Sequence, residues 1–424
     1  MQSNSDAQTN VILAELDNKI QFVYEVAFAK RELTGLGANV TPKLEDTIRF
    51  ELRPPFNIST DEMVKRLAHF RSVGDKKTEY TKLVAMNQKA SDNQYLTHWY
   101  YPYKGKYHPR LVRSIFNIIN VKYGQKVLDP FLGSGTTALE SYLFGLDFIG
   151  FDISPVCVLV GKVKVTAGEV AGQLPLFKKE AIKSMKQDVL KNAKETKKYA
   201  KLVDDDGESV YQDFLGKIDD ERITNFYQLA QLIFASDRGR RSRDFEAFEK
   251  NIDNMIASAS NLAEAEKMLK KDRKLYEGRI NKGDARSLKS VRNESVDAII
   301  TSPPYSIALN YMFNDRHALE ELGVDIVDLS RNVIGVAGKG AQKIKQYEKD
   351  MEAAYSEMYR VLKKGHQCVI VVGEAKVDGE QTQTVEDAIK YCESIGFRLK
   401  ENLPKIIFGL YNTIKDERVL FFEK

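Results

Sequence analysis

The chain has 424 residues, and 64 Lys and Arg against 60 Asp and Glu leave a formal charge of only +4, which does not by itself argue for a nucleic-acid partner. A hydrophobic content of 43% can supply a sizeable core, and the length calls for one main domain plus one or two additions. No apolar run approaches the roughly 18 residues of a membrane span, the polar start Met1–Asn10 is unlike a signal peptide, and the scattered Cys157, Cys368 and Cys392 give neither a disulfide framework nor a zinc knuckle and suit a reducing cytoplasm. From the start of the chain, Val11 to Leu33 reads as a helix with an apolar stripe (Val11, Ile12, Leu16, Ile20, Val23, Val26), ended by Gly35 and Gly37. Asp46 to Leu52 reads as a short strand, Thr60 as the capping residue of a helix with an acidic first turn, and Lys76 to Met86 as mixed. Residues 1–93 are accordingly set apart as an N-terminal extension with no assigned role.

The next segment is more specific. Gln125 to Pro130 is a short strand running into Phe131-Leu132-Gly133-Ser134-Gly135-Thr136-Thr137, a glycine-rich turn, and then a helix to about Phe144. Gly133 and Gly135 lack a Cβ, so the backbone can turn sharply and a ligand can approach closely. A second strand, Asp147 to Phe151, ends at Asp152. An acid there, roughly 20 residues past the glycines, is placed to hydrogen-bond a ribose hydroxyl. The pattern is neither the GxxxxGK[ST] of a triphosphate loop nor the GxGxxG of a dinucleotide fold.

Pro155 to about Val165 supplies a crossover helix, after which more than a hundred residues separate the second strand from the third at Ile280. This insertion reads as mostly helical. Lys178 to Lys201 is a lysine-rich exposed face, and Phe245 to Leu275 carries apolar residues at helical spacing. Between them Asp237 to Arg243 reads as a loop, whose Arg238, Arg240, Arg241 and Arg243 are candidates for clamping phosphates.

Val296-Asp297-Ala298-Ile299-Ile300 is a buried parallel strand stopped by Thr301-Ser302-Pro303-Pro304-Tyr305. In open α/β sheets the ligand crevice lies outside the carboxyl ends of strands. Pro303 and Pro304 stiffen the loop and donate no N–H, so it presents carbonyl acceptors. Ser302 adds an acceptor and Tyr305 a flat face. The combination suits a planar substrate with an exocyclic amine.

Asp129 to Thr137 together with Thr301 to Tyr305 resembles the cofactor and catalytic motifs of the amino-group DNA methyltransferases, which modify cytosine N4 or adenine N6 with S-adenosyl-L-methionine. Ile280 to Ala285 resembles the third-strand motif of that family, and Thr97 to Tyr103 with His108 to Val112 its amino-terminal cofactor segment. Met358 to Gly373 resembles the helix, turn and fifth strand that close such domains. The likeness covers about residues 95–165 and 278–424. It implies an α/β, Rossmann-like class I methyltransferase fold with a mainly parallel central sheet. The domain would be split into 94–165 (cofactor half) and 278–424 (catalytic half). The helical insertion 166–277, a candidate DNA-recognition region by its arginines, lies between the second and third strands and so departs from the family's familiar arrangements.

By the same resemblance, Asp129, Phe131, Gly133, Ser134, Gly135, Thr136, Thr137, Asp152, Ile153, Asp284 and Ala285 bind the cofactor, Asp284 at its adenine. Ser302 and the Pro303 carbonyl draw the amine lone pair toward the methyl donor, with Pro304 shaping the loop and Tyr305 stacking on the base. No metal is required. The target base must be flipped out of a duplex. A serine before Pro-Pro-Tyr leans toward cytosine N4, with adenine N6 the alternative. The partners implied are double-stranded DNA and a cognate restriction or defence protein, with no membrane. Two other classes stand beside this one: an RNA methyltransferase acting on a guanine or adenine amine, and a non-catalytic DNA-binding subunit that keeps the fold. The intact acids beside an intact catalytic loop argue against the latter.

Overall fold

The computed structural model describes residues 11–20, 22–42, 49–54, 56–87, 91–198, 209–241, 245–304, 311–336, 340–374, 376–377, 380–406 and 416–424. Tyr305, Ser242 and Arg243 lie outside the described residues.

The N-terminal extension is a folded module. Strand β1 (Ile12–Leu16) is followed by α1 (Val23–Gly35), β2 (Asn39–Pro42), β3 (Arg49–Arg53), α2 (Thr60–Arg66), β4 (Phe70–Val73), β5 (Lys76–Lys77) and α3 (Glu79–Ala85). The strands form a sheet in the order β2-β3-β1-β4-β5, each pair antiparallel. Its first six elements follow the βαββαβ succession of ferredoxin-like units. The single helix expected over 11–33 is therefore wrong in its first half. Ala14 and Leu16 are buried while Leu13 is 38% exposed, a two-residue alternation that the helical count had absorbed. The chain turns at Asp17, whose carbonyl accepts from Ile20 N, before the helix starts. The helix does end at the glycine pair, with Gly37 at φ +80°. The cap of α2 is Ser59, one residue earlier than expected, its Oγ accepting from Glu62 N at 3.1 Å.

Next come α4 (Pro109–Ile118), β6 (Lys126–Asp129), α5 (Thr136–Phe144), β7 (Asp147–Asp152) and α6 (Pro155–Val170). The insertion follows as α7 (Leu174–Lys198), α8 (Val210–Gly216), α9 (Glu221–Arg241) and α10 (Phe245–Leu269). The chain then returns through β8 (Arg279–Lys282), β9 (Val296–Thr301), α11 (Tyr311–Glu321), α12 (Ile326–Asn332), α13 (Gly340–Val361) and β10 (Leu362–Gly373). A small β11 (Lys376–Val377) and β12 (Glu380–Gln381) hairpin, α14 (Thr384–Ser394), β13 (Arg398–Ile406) and β14 (Asp416–Glu423) complete it. The central sheet runs β13-β14-β10-β9-β6-β7-β8. Its β10-β9-β6-β7-β8 portion is parallel, and β14 lies antiparallel to both neighbours. This is the Rossmann-like methyltransferase architecture. The strand order reverses at β6 and β9, so the crevice at a topological switch point opens above Asp129 and Thr301.

The insertion is not a separate lobe. Phe226, Tyr227, Leu229, Ala230, Leu232 and Ile233 are buried all around α9, and the same core takes in Val160 and Val163 of α6 and Leu319 of α11. A helix apolar on every side belongs in the middle of a packed layer. It also overturns one expectation. Asp237 to Arg241 is the last part of α9, not a loop. Arg240 donates to the carbonyls of Asn314 (3.1 Å) and Pro102 (3.3 Å), pinning α11 to the segment before the sheet. It is a structural strut and not a free phosphate clamp, whereas Arg238 is exposed, its guanidinium 5.7 Å from the Phe234 ring centroid. Arg240→Ala is expected to lower stability by about 1.5–3 kcal/mol, the range for hydrogen bonds from charged groups. Arg238→Ala should stay within about 0.5 kcal/mol. Urea melts of the two variants measure the contrast.

Candidate active site

The glycine turn is shaped by Gly133 (φ +49°) and Gly135 (φ +72°), both in the left-handed region. A Cβ on Gly135 would sit 2.9 Å from the Gly161 Cα, so α5 and α6 could not approach as they do. The turn is locked by Leu132 N to the Phe151 carbonyl at 2.8 Å and Gly133 N to Asp152 Oδ2 at 2.8 Å. Asp152 Oδ1 accepts from Ser154 N at 2.9 Å. Burial pushes the Asp152 carboxyl up to about 6 despite these two amides, and the nearby Asp129 and Asp315 add to the rise.

One cleft of about 950 Å³, counted to its open mouth, lies along the carboxyl ends of β6, β7, β8 and β9. Of the sequence-derived cofactor residues it is lined by Phe131, Gly133, Ser134, Asp152, Ile153, Asp284 and Ala285, and of the catalytic ones by Ser302 and Pro304. Pro303 is buried and does not line it. Asp129, Gly135, Thr136 and Thr137 stand behind the wall. Asp129 is 2% exposed and has its carboxylate engaged by Thr301 Oγ1 (2.6 Å), Phe131 N (3.1 Å) and Tyr107 Oη (3.3 Å). It ties the tip of β6 to the tip of β9, and Thr137 joins the same group through Tyr107. These residues fix the two motifs against each other from beneath.

Asp284 faces the cleft with its oxygens already bonded by Arg286, whose Nε reaches Oδ1 at 3.0 Å and whose NH2 reaches Oδ2 at 2.6 Å. The same guanidinium continues to Asp350 (2.9 Å) and the Asn332 carbonyl (2.8 Å), pinning the β8 tip to α12 and α13. On the catalytic side, Tyr347 Oη donates to the Pro304 carbonyl at 3.0 Å.

Several lining residues escaped the sequence reading. Tyr103 lies in a segment whose resemblance was noted, but Lys106 and Tyr107 lie just beyond it and carried no signal of their own. Lys106 Nζ donates to the carbonyls of Asn93 (2.6 Å) and His98 (2.9 Å), and burial lowers its ammonium to about 7. Cys157 enters from α6 just past Asp152, Asp315 and Leu319 from α11, and Asn332 to Ile334 from the end of α12 and the turn beyond it. Among the described residues no group of three His, Cys, Asp or Glu is placed to hold a metal ion.

Residues 72–161 match the family model described as DNA methylase, of the N6/N4 amino-methyltransferase type. The matched stretch contains the glycine-rich turn and Asp152. The match begins within β4, so it takes in the end of the N-terminal module. The Type II methyltransferase M.MjaII of Methanocaldococcus jannaschii is 35% identical over 109 residues, 26% of this chain and 18% of that protein. The tRNA (guanine(10)-N2)-dimethyltransferase of Methanothermobacter thermautotrophicus is 37% identical over 76 residues, 17% of this chain and 22% of that protein. The chain thus spans about a fifth of the length of the curated relatives it matches. Among solved structures, a DNA modification methylase of Thermus thermophilus complexed with S-adenosyl-L-methionine aligns with a TM-score of 0.23 and 22% identity, over 34% of this chain and 51% of that one. S-adenosyl-L-methionine is the cofactor of this fold and family.

The cleft fits that cofactor on its own geometry. Asp152 offers carboxylate lone pairs at the second strand tip, where such folds take a ribose. A Cβ on Gly133 would come within 3.2 Å of Tyr103 Oη, so the bare backbone is what lets that cleft-lining tyrosine pack against the turn.

Proposed function

We propose that the protein transfers a methyl group from S-adenosyl-L-methionine to the exocyclic amine of a base flipped out of double-stranded DNA, at cytosine N4, in the cytoplasm and in a restriction-modification or defence setting. One observation carries the reading: Ser302 and Pro304 at the tip of β9 share a single cleft with Gly133, Asp152, Asp284 and Ala285. The DNA methylase match and the Type II relatives support DNA as the substrate class.

When bound, the cofactor supplies an electrophilic methyl group that needs no metal or further activation. This chain supplies position and polarity. Asp152 accepts from the ribose, and Phe131 and Ile153 give apolar contact to the adenine. Ser302 and the loop carbonyls accept from the amine's N–H bonds, which localises a lone pair otherwise delocalised into the ring. Tyr305 stacks on the base. Holding amine and methyl in line supplies much of the rate. The lean toward cytosine rests on the resemblance alone, in which a serine precedes Pro-Pro-Tyr; as a compact neutral acceptor Ser302 is compatible with either amine.

Purified protein incubated with labelled cofactor and mixed-sequence duplex DNA is expected to yield N4-methylcytosine at one recognition sequence, read by base-resolved sequencing. N6-methyladenine would correct the base, and label in tRNA alone would remove DNA as the substrate. That second reading is favoured by the guanine-N2 relative and keeps the same cleft and acceptors.

Asp152→Ala is expected to weaken cofactor affinity about 10- to 100-fold, the range for a lost charged hydrogen bond, measured by calorimetry. Because the Asp152 carboxyl is held at about 6, wild-type affinity should also fall as pH drops from 7 to 5 and the acceptor protonates. In the free protein the sign is reversed. A carboxyl raised from 3.8 to about 6 favours the fold when protonated, so its contribution is lost as pH rises through that window.

A further inference from the structure

Asp315 is a second carboxylate in the cofactor cleft, on a helix that no motif marks. It sits one turn into α11, is 6% exposed, and lines the cleft beside Cys157 and Leu319. Its Oδ1 accepts from Tyr101 Oη at 2.8 Å. The cation whose charge reaches it, Arg240, has its terminal nitrogens on the carbonyls of Asn314 and Pro102. No ion pair reaches Asp315 among the described residues. Burial pushes its carboxyl up to about 6, and its charge in turn raises Asp152 and Cys157.

Two acids in one water-poor cleft repel, and a packed interior tolerates such a charge only with a partner. Asp152 has a local role: it holds the glycine turn through Gly133 N and Ser154 N and stands where the ribose acid belongs. Among the described residues Asp315 holds no loop amide. Tyr101 occupies one oxygen and fixes the carboxylate, leaving acceptor capacity for the cleft. The cofactor reading above, on which this rests, brings a ligand whose amino-acid end carries an ammonium. We infer that Asp315 receives the α-ammonium group of the cofactor, so that α11, in the catalytic half, closes the cofactor site built by the other half.

Tyr101 and Arg240 then act as positioning residues for this acid. Tyr101 orients it, and Arg240 holds the first turn of α11 against the Tyr101–Pro102 segment.

The test measures binding of three ligands by calorimetry to the full chain and to Asp315→Asn, which keeps an acceptor for Tyr101 Oη and nearly the same volume. S-adenosyl-L-methionine and S-adenosyl-L-homocysteine both carry the ammonium, and methylthioadenosine carries neither it nor the carboxylate. The expected result is a loss of about 10- to 100-fold, that of a charge-assisted hydrogen bond, for the first two, with methylthioadenosine unchanged. Equal loss for all three would reduce Asp315 to a structural or ribose-side role and overturn the assignment. Loss for S-adenosyl-L-methionine alone would overturn it in favour of the sulfonium. Asp315→Ser separates packing from charge: a smaller side chain that restored affinity for the two amino-acid ligands would also count against the inference. Wild-type protein that bound none of the three would instead sink the cofactor reading itself.

Discussion

Ser302→Ala is expected to reduce methyl transfer by at least about 10²-fold while leaving cofactor affinity unchanged. The figure is that for removing one preorganised polar group aimed at developing charge. As the amine attacks, its nitrogen gains positive character and its N–H bonds become stronger donors. An acceptor already fixed in place stabilises that change without reorganising. Ser302 is held by its neighbours on both sides: Thr301 Oγ1 on Asp129 behind it, and the Pro304 carbonyl under Tyr347 Oη ahead of it. The loss should therefore appear in a single-turnover rate, with the base still flipped and the cofactor still bound. Tyr347→Phe removes one positioning bond and is expected to cost less, in kcat more than in KM. A Ser302→Ala protein that bound cofactor more weakly in proportion to its lost rate would contradict the role. So would one that kept its rate.

The two halves of this site differed in how much the sequence revealed. The motif residues were legible because each sits at a strand end. Asp129 and Thr301 follow apolar runs short enough to be strands, and the acids and glycines stop those runs where a parallel sheet has its crevice. Their roles were less legible than their places. A linear motif does not show that the Asp129 carboxylate is consumed by Thr301, Phe131 and Tyr107, or that Asp284 is shared with Arg286. Asp315 gave no signal at all, since an acid in a helix reads as solvated surface until tertiary packing buries it. The arginine-rich stretch failed for the opposite reason. Its charge suggested a loop at a phosphate backbone, but α9 is held by apolar contacts on every side, and that helix carries Arg240 inward to two carbonyls. In the N-terminal module, five residues of β1 were too few for a period of two to stand out against a neighbouring helix.

Glu140→Ala is expected to destabilise the fold by about 3–5 kcal/mol, the cost of stranding a buried charge, although Glu140 lies outside the cleft lining. Glu140 is fully buried on α5, directly behind the glycine turn. It accepts from Arg113 Nε at 3.0 Å, from His98 Nε2 at 2.8 Å and from the Tyr95 hydroxyl. Arg113 in turn donates to Glu79 of the N-terminal module at 3.1 Å, and Glu79 also holds Arg273 after α10. One carboxylate thus links four stretches of chain: the N-terminal module, the Tyr95–His98 segment, α4 and α5. The interior does not repay such ions for their lost hydration unless every partner is present. Removing Glu140 leaves Arg113, itself fully buried, with Glu79 alone. Replacing Arg113 by Met in the same protein should return much of the loss, because the stranded charge goes with it. The pH response has a definite sign. Burial holds His98 down at about 3 from its usual 6.5, so folding excludes a proton that the unfolded chain binds, and stability is lost as pH falls from 6.5 toward 3. Glu140 is lowered, Arg113 and its other donors outweighing desolvation, and it adds a loss of the same sign at the acid end. Denaturant midpoints of the wild type, Glu140→Ala and Glu140→Ala with Arg113→Met, followed across that range, test the network. The His98 part of the acid profile should persist in Glu140→Ala, because burial and not Glu140 lowers that imidazole. A Glu140→Ala protein that kept the wild-type midpoint at neutral pH would show that these groups do not hold the module to the sheet.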